Sequence, residues 1–343
     1  MSKDRFFLSM SWIRKRGFVN KKKNPASSPK VDLSVKIKDL VFRNPITVAS
    51  GTFGVTDEYK DFVDYEKMGA VITKTITVKP RKGNPMPRIC ETASGMLNAI
   101  GLQNKGLQDF IENKIPHFAK VNTPLIVNIA GEDPEDFAKL TQALHREKKV
   151  VRALELNLSC PNVEAGGASF IRKREKILDV IKTVRDLTDL TLFAKLSPEL
   201  GDVLEIAGDC IRSGIDGLSL INTLKGMAVD IYKRTPRIAN VTGGLSGPAI
   251  KPVALRYVYE VKKNFNVPVI ASGGIMSAQD AVEFLIVGAD LLAVGTANFV
   301  NPTASMDILN GLNEYCIRQN IKSIQELRGT LKIPGRETCS VSG

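Results

Sequence analysis

A chain of 343 residues with 43% hydrophobic and 6% aromatic content carries enough apolar surface for one large core, and its 27 Gly and 17 Pro exclude a fibrous or wholly disordered protein. Five scattered cysteines (Cys90, Cys160, Cys210, Cys316, Cys339) form no C-x-x-C pair, which argues against a disulfide framework, a structural zinc and an iron–sulfur cluster held by this chain. Of the net charge of +12, residues 1–30 contribute most, with nine Lys or Arg against Asp4, so the remaining body is mildly basic and does not read as a nucleic-acid binder.

Residues 1–33 read as a basic N-terminal extension. It closes on Asn24-Pro-Ala-Ser-Ser-Pro29, a linker-like composition. Phe6, Met10 and Ile13 fall at i, i+4 and i+7, the spacing of a short amphipathic helix. Three readings stay open: a disordered solubilising tail, an organellar transit peptide, and an interfacial or partner-binding arm. A membrane contact is the least favoured, and no apolar run reaches the length of a membrane span.

From residue 34 to about 330 short apolar runs alternate with helical stretches. The expected strands are Ile46–Ala49, Ala70–Lys74, Leu125–Ile129, Ala153–Leu158, Leu192–Leu196, Gly217–Ile221, Val267–Ala271 and Leu291–Val294. Helices are expected over Glu132–Arg146, Ile171–Leu187, Val203–Ser213, Lys251–Phe265 and Ala278–Gly288. This alternation predicts an α/β fold, a (β/α)8 TIM barrel, with long insertions after strands 2 and 6. No G-x-G-x-x-G follows the first strand, which disfavours a doubly wound dinucleotide fold. Residues 331–343 read as a polar C-terminal tail.

Chemistry in such a barrel collects at the C-terminal ends of the strands. Those ends carry Ser50-Gly51, Lys74-Thr75, Asn128, Asn157 with Cys160 and Asn162, Lys195, Ile221-Asn222-Thr223, Gly273-Gly274 and Gly295-Thr296. The insertion after strand 2 adds Asn98-Ala-Ile100-Gly101-Leu102-Gln-Asn104, and that after strand 6 adds Gly247. The glycine turns after strands 7 and 8 suit a phosphate cup. Lys74 and Lys195 end otherwise apolar strands, where a buried ammonium requires an anionic partner. A cluster of carboxamides offers paired donors and acceptors without charge. The set suits a phosphorylated, electron-accepting cofactor beside a planar ligand; flavin mononucleotide (FMN) fits, though composition does not single it out. Cys160 follows a strand and precedes Pro161, an accessible position for a thiol that moves a proton. Only two histidines, His117 and His145, occur, both away from strand ends, which disfavours histidine-based acid–base chemistry and a metal site.

The segments Asn157-Leu-Ser-Cys-Pro-Asn162, Asn98–Asn104, Gly83-Asn-Pro-Met-Pro-Arg88, Ile221-Asn-Thr223, Gly243–Arg256 and Val294–Val300 together resemble dihydroorotate dehydrogenase. The likeness runs from about residue 34 to 330 and is most similar to the class 1B, NAD-linked catalytic subunit. That resemblance implies FMN in the barrel, oxidation of dihydroorotate to orotate in de novo pyrimidine biosynthesis, and an electron-transfer subunit with FAD and a 2Fe-2S cluster that passes electrons to NAD+. It implies a homodimer of catalytic subunits within a heterotetramer, in the cytoplasm. Cys160 is expected to take a proton from C5 while hydride leaves C6. Lys74, Asn98, Ile100, Gly101, Leu102, Asn157, Asn162, Asn222 and Thr223 are expected around the substrate. Ser50, Gly51, Lys74, Thr75, Asn128, Asn157, Lys195, Ile221, Gly247, Gly273, Gly274, Gly295 and Thr296 are expected around FMN. Lys105 stands where the family usually has proline. The alternatives are a class 1A, fumarate-dependent enzyme, a dihydropyrimidine dehydrogenase-type barrel, which normally brings cysteine runs absent here, and a non-enzymatic basic binding protein.

Overall fold

The computed structural model describes residues 31–54, 59–158 and 174–334. Eight parallel strands form its centre: β1 (Ile46–Val48), β2 (Val71–Ile72), β3 (Leu125–Ile129), β4 (Val151–Asn157), β5 (Thr191–Leu196), β6 (Gly217–Leu220), β7 (Val269–Ser272) and β8 (Leu291–Val294). They hydrogen-bond in the order β1-β8-β7-β6-β5-β4-β3-β2. Almost every strand residue is buried, as expected where helices cover the outside and side chains fill the inside. The seam between β1 and β2 is drawn together by the Gly69 amide, which donates to Ile46 O at 2.9 Å. A side chain cannot fit there, because a Cβ on Gly69 would lie 2.0 Å from Asn44 O. The result is the nearly closed (β/α)8 barrel that the alternation predicts.

The strands differ from expectation mainly at their edges. β2 is only two residues long, although Thr73 N still donates to Ile126 O and Ile76 N to Asn128 O. β7 starts two residues late because Pro268 has no N–H for the ladder. Helices follow the strands with clear starts. Asp133 caps Pro134–Arg146 by accepting from Asp136 N, and Asp202 caps Val203–Arg212 by accepting from Leu204 N. The helix before β5 is described over Arg174–Leu187; its expected first turn lies outside the described residues.

A hairpin that the sequence reading did not anticipate, Val35–Ile37 against Leu40–Phe42, covers the N-terminal end of the barrel. Lys38 Nζ reaches Asp216, just before β6, at 2.9 Å. Residues from Val31 onward belong to this unit, since Asp32 N donates to Lys322 O at 2.9 Å. Residues 1–30 lie outside the described residues. No described helix is long and apolar enough to cross a membrane.

At the opposite end the two long insertions meet. Ile89–Thr92 and Gly95–Asn98, from the excursion after β2, join Leu224–Met227 and Thr242–Ser246, from the excursion after β6. Together they make one four-stranded antiparallel sheet, with Asn98 opposite Gly244 and Leu245 opposite Leu97. Leu97, Ala99 and Ile238 form a small core beneath it. The sheet holds Asn98 and the segment that follows it at the C-terminal end of the barrel strands.

Candidate active site at the strand C-termini

β4 and β5 lie in register with Asn157 opposite Lys195. Because strand side chains alternate, Glu155 and Asn157 point to the same side of β4, into the barrel. Glu155 is fully buried and lies below Asn157. Its carboxylate accepts from Asn128 Nδ2 at 2.5 Å and from Ser219 Oγ at 2.6 Å, and Lys195 Nζ stands 3.8 Å away. Lys195 Nζ also donates to Ser50 Oγ at 3.0 Å. Side chains from β3, β4, β5, β6 and the β1 loop thus form one polar layer inside an apolar barrel. Among the described residues, the protein's own Glu155 supplies the anionic partner that a buried Lys195 requires. A buried ammonium needs such a counter-charge whether or not a ligand is bound.

Above this layer, Asn157 Nδ2 reaches Thr75 Oγ1 at 3.5 Å and Asn222 Nδ2 reaches Asn157 Oδ1 at 3.5 Å. Asn222 is positioned by its own N–H to Leu196 O at 2.9 Å, and its Oδ1 accepts from Thr223 N at 2.8 Å. Ile221 N donates to Ser272 O at 2.9 Å, holding the turn after β6 against β7. The ends of β2, β4 and β6 therefore deliver Thr75, Asn157 and Asn222 to one place. These contacts are long and leave hydrogen-bonding capacity that a bound ligand could take up.

The glycine turns lie on the other side. A Cβ on Gly274 would stand 2.6 Å from Lys251 Cβ and 3.0 Å from Gly247 O, and one on Gly273 would stand 2.9 Å from Ala254 Cβ. A Cβ on Gly247 would stand 2.7 Å from Gly95 Cα. The loops after β6 and β7 and the upper sheet thus meet where only glycine backbone fits. Thr296 Oγ1 donates to Ser246 Oγ at 2.8 Å, joining the turn after β8 to the same sheet, and Gly295 leaves 3.3 Å to Ala49 Cβ. Gly51, at φ +82°, faces open space.

Asn98 Nδ2 donates to Gly244 O at 3.2 Å, and Ile100 O accepts from Asn84 N at 3.0 Å. Gly101 and Leu102 adopt φ +75° and +54°. Lys74 borders a cavity of about 450 Å³ beside this segment. Cys160 and Asn162 lie outside the described residues. His117 and His145 are both on helices, and His145 Nδ1 is engaged by Thr188 Oγ1 at 2.9 Å.

One polar atom tests the fit of a cofactor. Asn128 Oδ1 is buried and has no hydrogen-bond partner among the described residues. An orphan acceptor inside a barrel costs free energy unless a donor arrives. A ligand with a ring N–H and a phosphate tail matches this acceptor and the glycine cradle together.

Sequence reasoning missed Glu155, Ser219 and Ser246. Glu155 was visible as the single carboxylate in the run Val151–Leu158, two residues before Asn157 and therefore on its face.

The family model for dihydroorotate dehydrogenase matches residues 32–316. The chain belongs to the dihydroorotate dehydrogenase family. Among curated relatives it is 50% identical over 304 residues to a protein of Geotalea daltonii named "Dihydroorotate dehydrogenase B (NAD(+)), catalytic subunit", covering 89% of this chain and 99% of that one. A Bacteroides thetaiotaomicron protein of the same name is 46% identical over 302 residues, covering 88% and 99%. Among solved structures, ligand-free dihydroorotate dehydrogenase of Eimeria tenella superposes with a TM-score of 0.73 at 25% identity, covering 90% of this chain and 94% of that one. A ferulenol complex of the Eimeria enzyme gives 0.72.

Proposed function

We propose that this family member is the catalytic subunit of an NAD-linked dihydroorotate dehydrogenase and oxidises dihydroorotate to orotate in pyrimidine biosynthesis. The observation that carries the reading is the convergence of Thr75, Asn157 and Asn222 above the buried Lys195–Glu155 pair. The relatives' names support the NAD-linked assignment.

FMN, when bound, would supply the hydride acceptor. Asn128, Lys195, Ser50, Gly51, Thr75 and Ile221 would hold its ring, with Asn128 Oδ1 accepting a ring N–H. Gly247, Gly273, Gly274, Gly295 and Thr296 would surround its phosphate, using backbone N–H groups. Lys195 places a positive charge inside the barrel, where it would stabilise negative charge on a bound flavin. Glu155 keeps that ammonium in place. Asn98, Asn157, Asn162, Asn222 and Thr223 would orient the pyrimidine amides and carboxylate, Ile100, Gly101 and Leu102 would shape the pocket wall, and Lys74 would add a cation at the ring edge. Cys160 would accept the proton from C5 of dihydroorotate.

We further propose that electrons leave through a separate subunit carrying FAD and a 2Fe-2S cluster, in a heterotetramer built on a catalytic-subunit dimer in the cytoplasm. The test is the fate of the reduced chain. Flavin reduced by dihydroorotate should be reoxidised by NAD+ only when the electron-transfer subunit is added. Rapid reoxidation by fumarate with the chain alone would assign it to the fumarate-using class instead.

A further inference from the structure

The cavity beside Lys74 contains more charge than the proposed reaction uses. It holds about 450 Å³ and is lined by Lys74, Arg81, Lys105 and Lys114, with Asp109 the single carboxylate in the wall. Asp109 accepts from Asn113 Nδ2 at 3.0 Å, and Arg81 makes a 3.3 Å pair with the more exposed Glu132. The cations come from three elements: the end of β2, the following excursion and the helical segment from Gly106 to Phe118. Buried Ile76 and Phe110 provide apolar floor, and Gln103 adds a carboxamide.

The wall is rigidly placed. Arg81 and Asn104 exchange both backbone hydrogen bonds, at 2.9 and 3.1 Å. Asn104 Oδ1 accepts from Gly106 N at 2.8 Å, while its Nδ2 donates to Thr77 Oγ1 and Leu102 O, both at 2.8 Å. One asparagine therefore fixes the turn that presents Lys105 and links it to Leu102 in the proposed substrate wall. With four cations against one carboxylate in its wall, this concave site carries an excess of positive charge that concentrates anions. Lys74 belongs both to this cavity and to the proposed substrate site, so the two are contiguous.

We propose that this cavity is a pre-binding site for the anionic substrate, in which Arg81, Lys105 and Lys114 collect a small ring carboxylate and pass it to Lys74. This rests on the dihydroorotate reading above. Its functional signature is the rate of substrate capture, with the chemical step unaffected.

The experiment compares the full-length, FMN-loaded wild-type chain with Lys105→Glu/Lys114→Glu in anaerobic stopped-flow reduction by dihydroorotate across ionic strengths. Both proteins keep residues 1–30, so the basic extension acts equally in each. At low salt the second-order rate constant for flavin bleaching should fall about tenfold in the variant, and the two proteins should converge as salt screens the field. The limiting rate at saturating substrate should be unchanged. The uncharged methyl ester of dihydroorotate should reduce both proteins equally; a general structural defect would slow it too. Equal rate constants and salt slopes for the acid would overturn the proposal. If dihydroorotate bleaches neither protein, the functional reading fails separately, and calorimetry of orotate binding then decides the cavity: weaker, less salt-sensitive binding in the variant supports it, and unchanged binding overturns it.

Discussion

Lys195 Nζ stands 3.8 Å from Glu155 Oε1, and both residues are buried inside the barrel. The pair is completed by Ser50, Asn128 and Ser219, so nearly every charge and lone pair in the layer has a partner. Such a layer fixes the position of a cation on the strand beside Asn157, one of the carboxamides that would meet the substrate.

Glu155→Gln keeps the shape but leaves the Lys195 ammonium buried without its counter-charge. Removing one partner of a buried pair costs roughly 3 kcal/mol or more. The urea midpoint should fall accordingly, and the flavin should become easier to reduce because a cation beside it is no longer neutralised. An unchanged midpoint and potential would mean that Lys195 has another counter-ion.

Asn157 contacts both Thr75 and Asn222. Asn157→Ala should lower kcat/KM for dihydroorotate about tenfold or more, the cost of losing a hydrogen bond in a desolvated site. Thermal stability should change far less, because the 3.5 Å contacts are weak in the free protein. Wild-type kcat/KM would remove Asn157 from the substrate site.

Two glycines separate steric from conformational cost. Gly69→Ala drives a Cβ to within 2.0 Å of Asn44 O at the barrel seam, and such overpacking should cost about 2 to 3 kcal/mol. Gly51→Ala meets nothing within 4 Å and carries only the positive-φ penalty, about 1 kcal/mol. Chemical denaturation of the two variants checks the order.

Burial in the helix Val203–Arg212 pushes the Cys210 thiol up to about 12. Cys210 should stay unlabelled by iodoacetamide in the native chain at pH 8 and become labelled in urea, as peptide mass spectrometry can show. The linkage sign follows. Between the ordinary thiol pKa and about 12 the unfolded chain loses this proton and the folded chain keeps it, so stability falls as pH rises through that range. Cys210→Ala should flatten that decline.

The barrel was legible because its eight buried strands are short apolar runs set between amphipathic helices, a local signal. The Lys74, Asn128, Asn157 and Lys195 positions were legible as polar residues closing such runs. The upper sheet was not, because Gly95, Gly243 and Gly244 read as turn residues, and the pairing of residues 95–98 with 242–246 spans well over a hundred positions. The Val35–Phe42 hairpin has strands of three residues, too short for an alternation signal. Glu155 stands out in the sequence as the one carboxylate of its apolar run, but its partners Lys195, Asn128 and Ser219 come from other strands and meet it only in the closed barrel.

The most direct measurement of the central claim is anaerobic reduction of the bound flavin by dihydroorotate in the wild-type chain and in Cys160→Ala and Cys160→Ser. The account predicts flavin bleaching with matching orotate formation in the wild type, retained flavin but nearly abolished reduction in the alanine variant, and reduction recovering mainly at higher pH in the serine variant, whose hydroxyl is the weaker acid. A flavin-loaded wild type that dihydroorotate does not bleach, or an alanine variant that reduces at the wild-type rate, would contradict it.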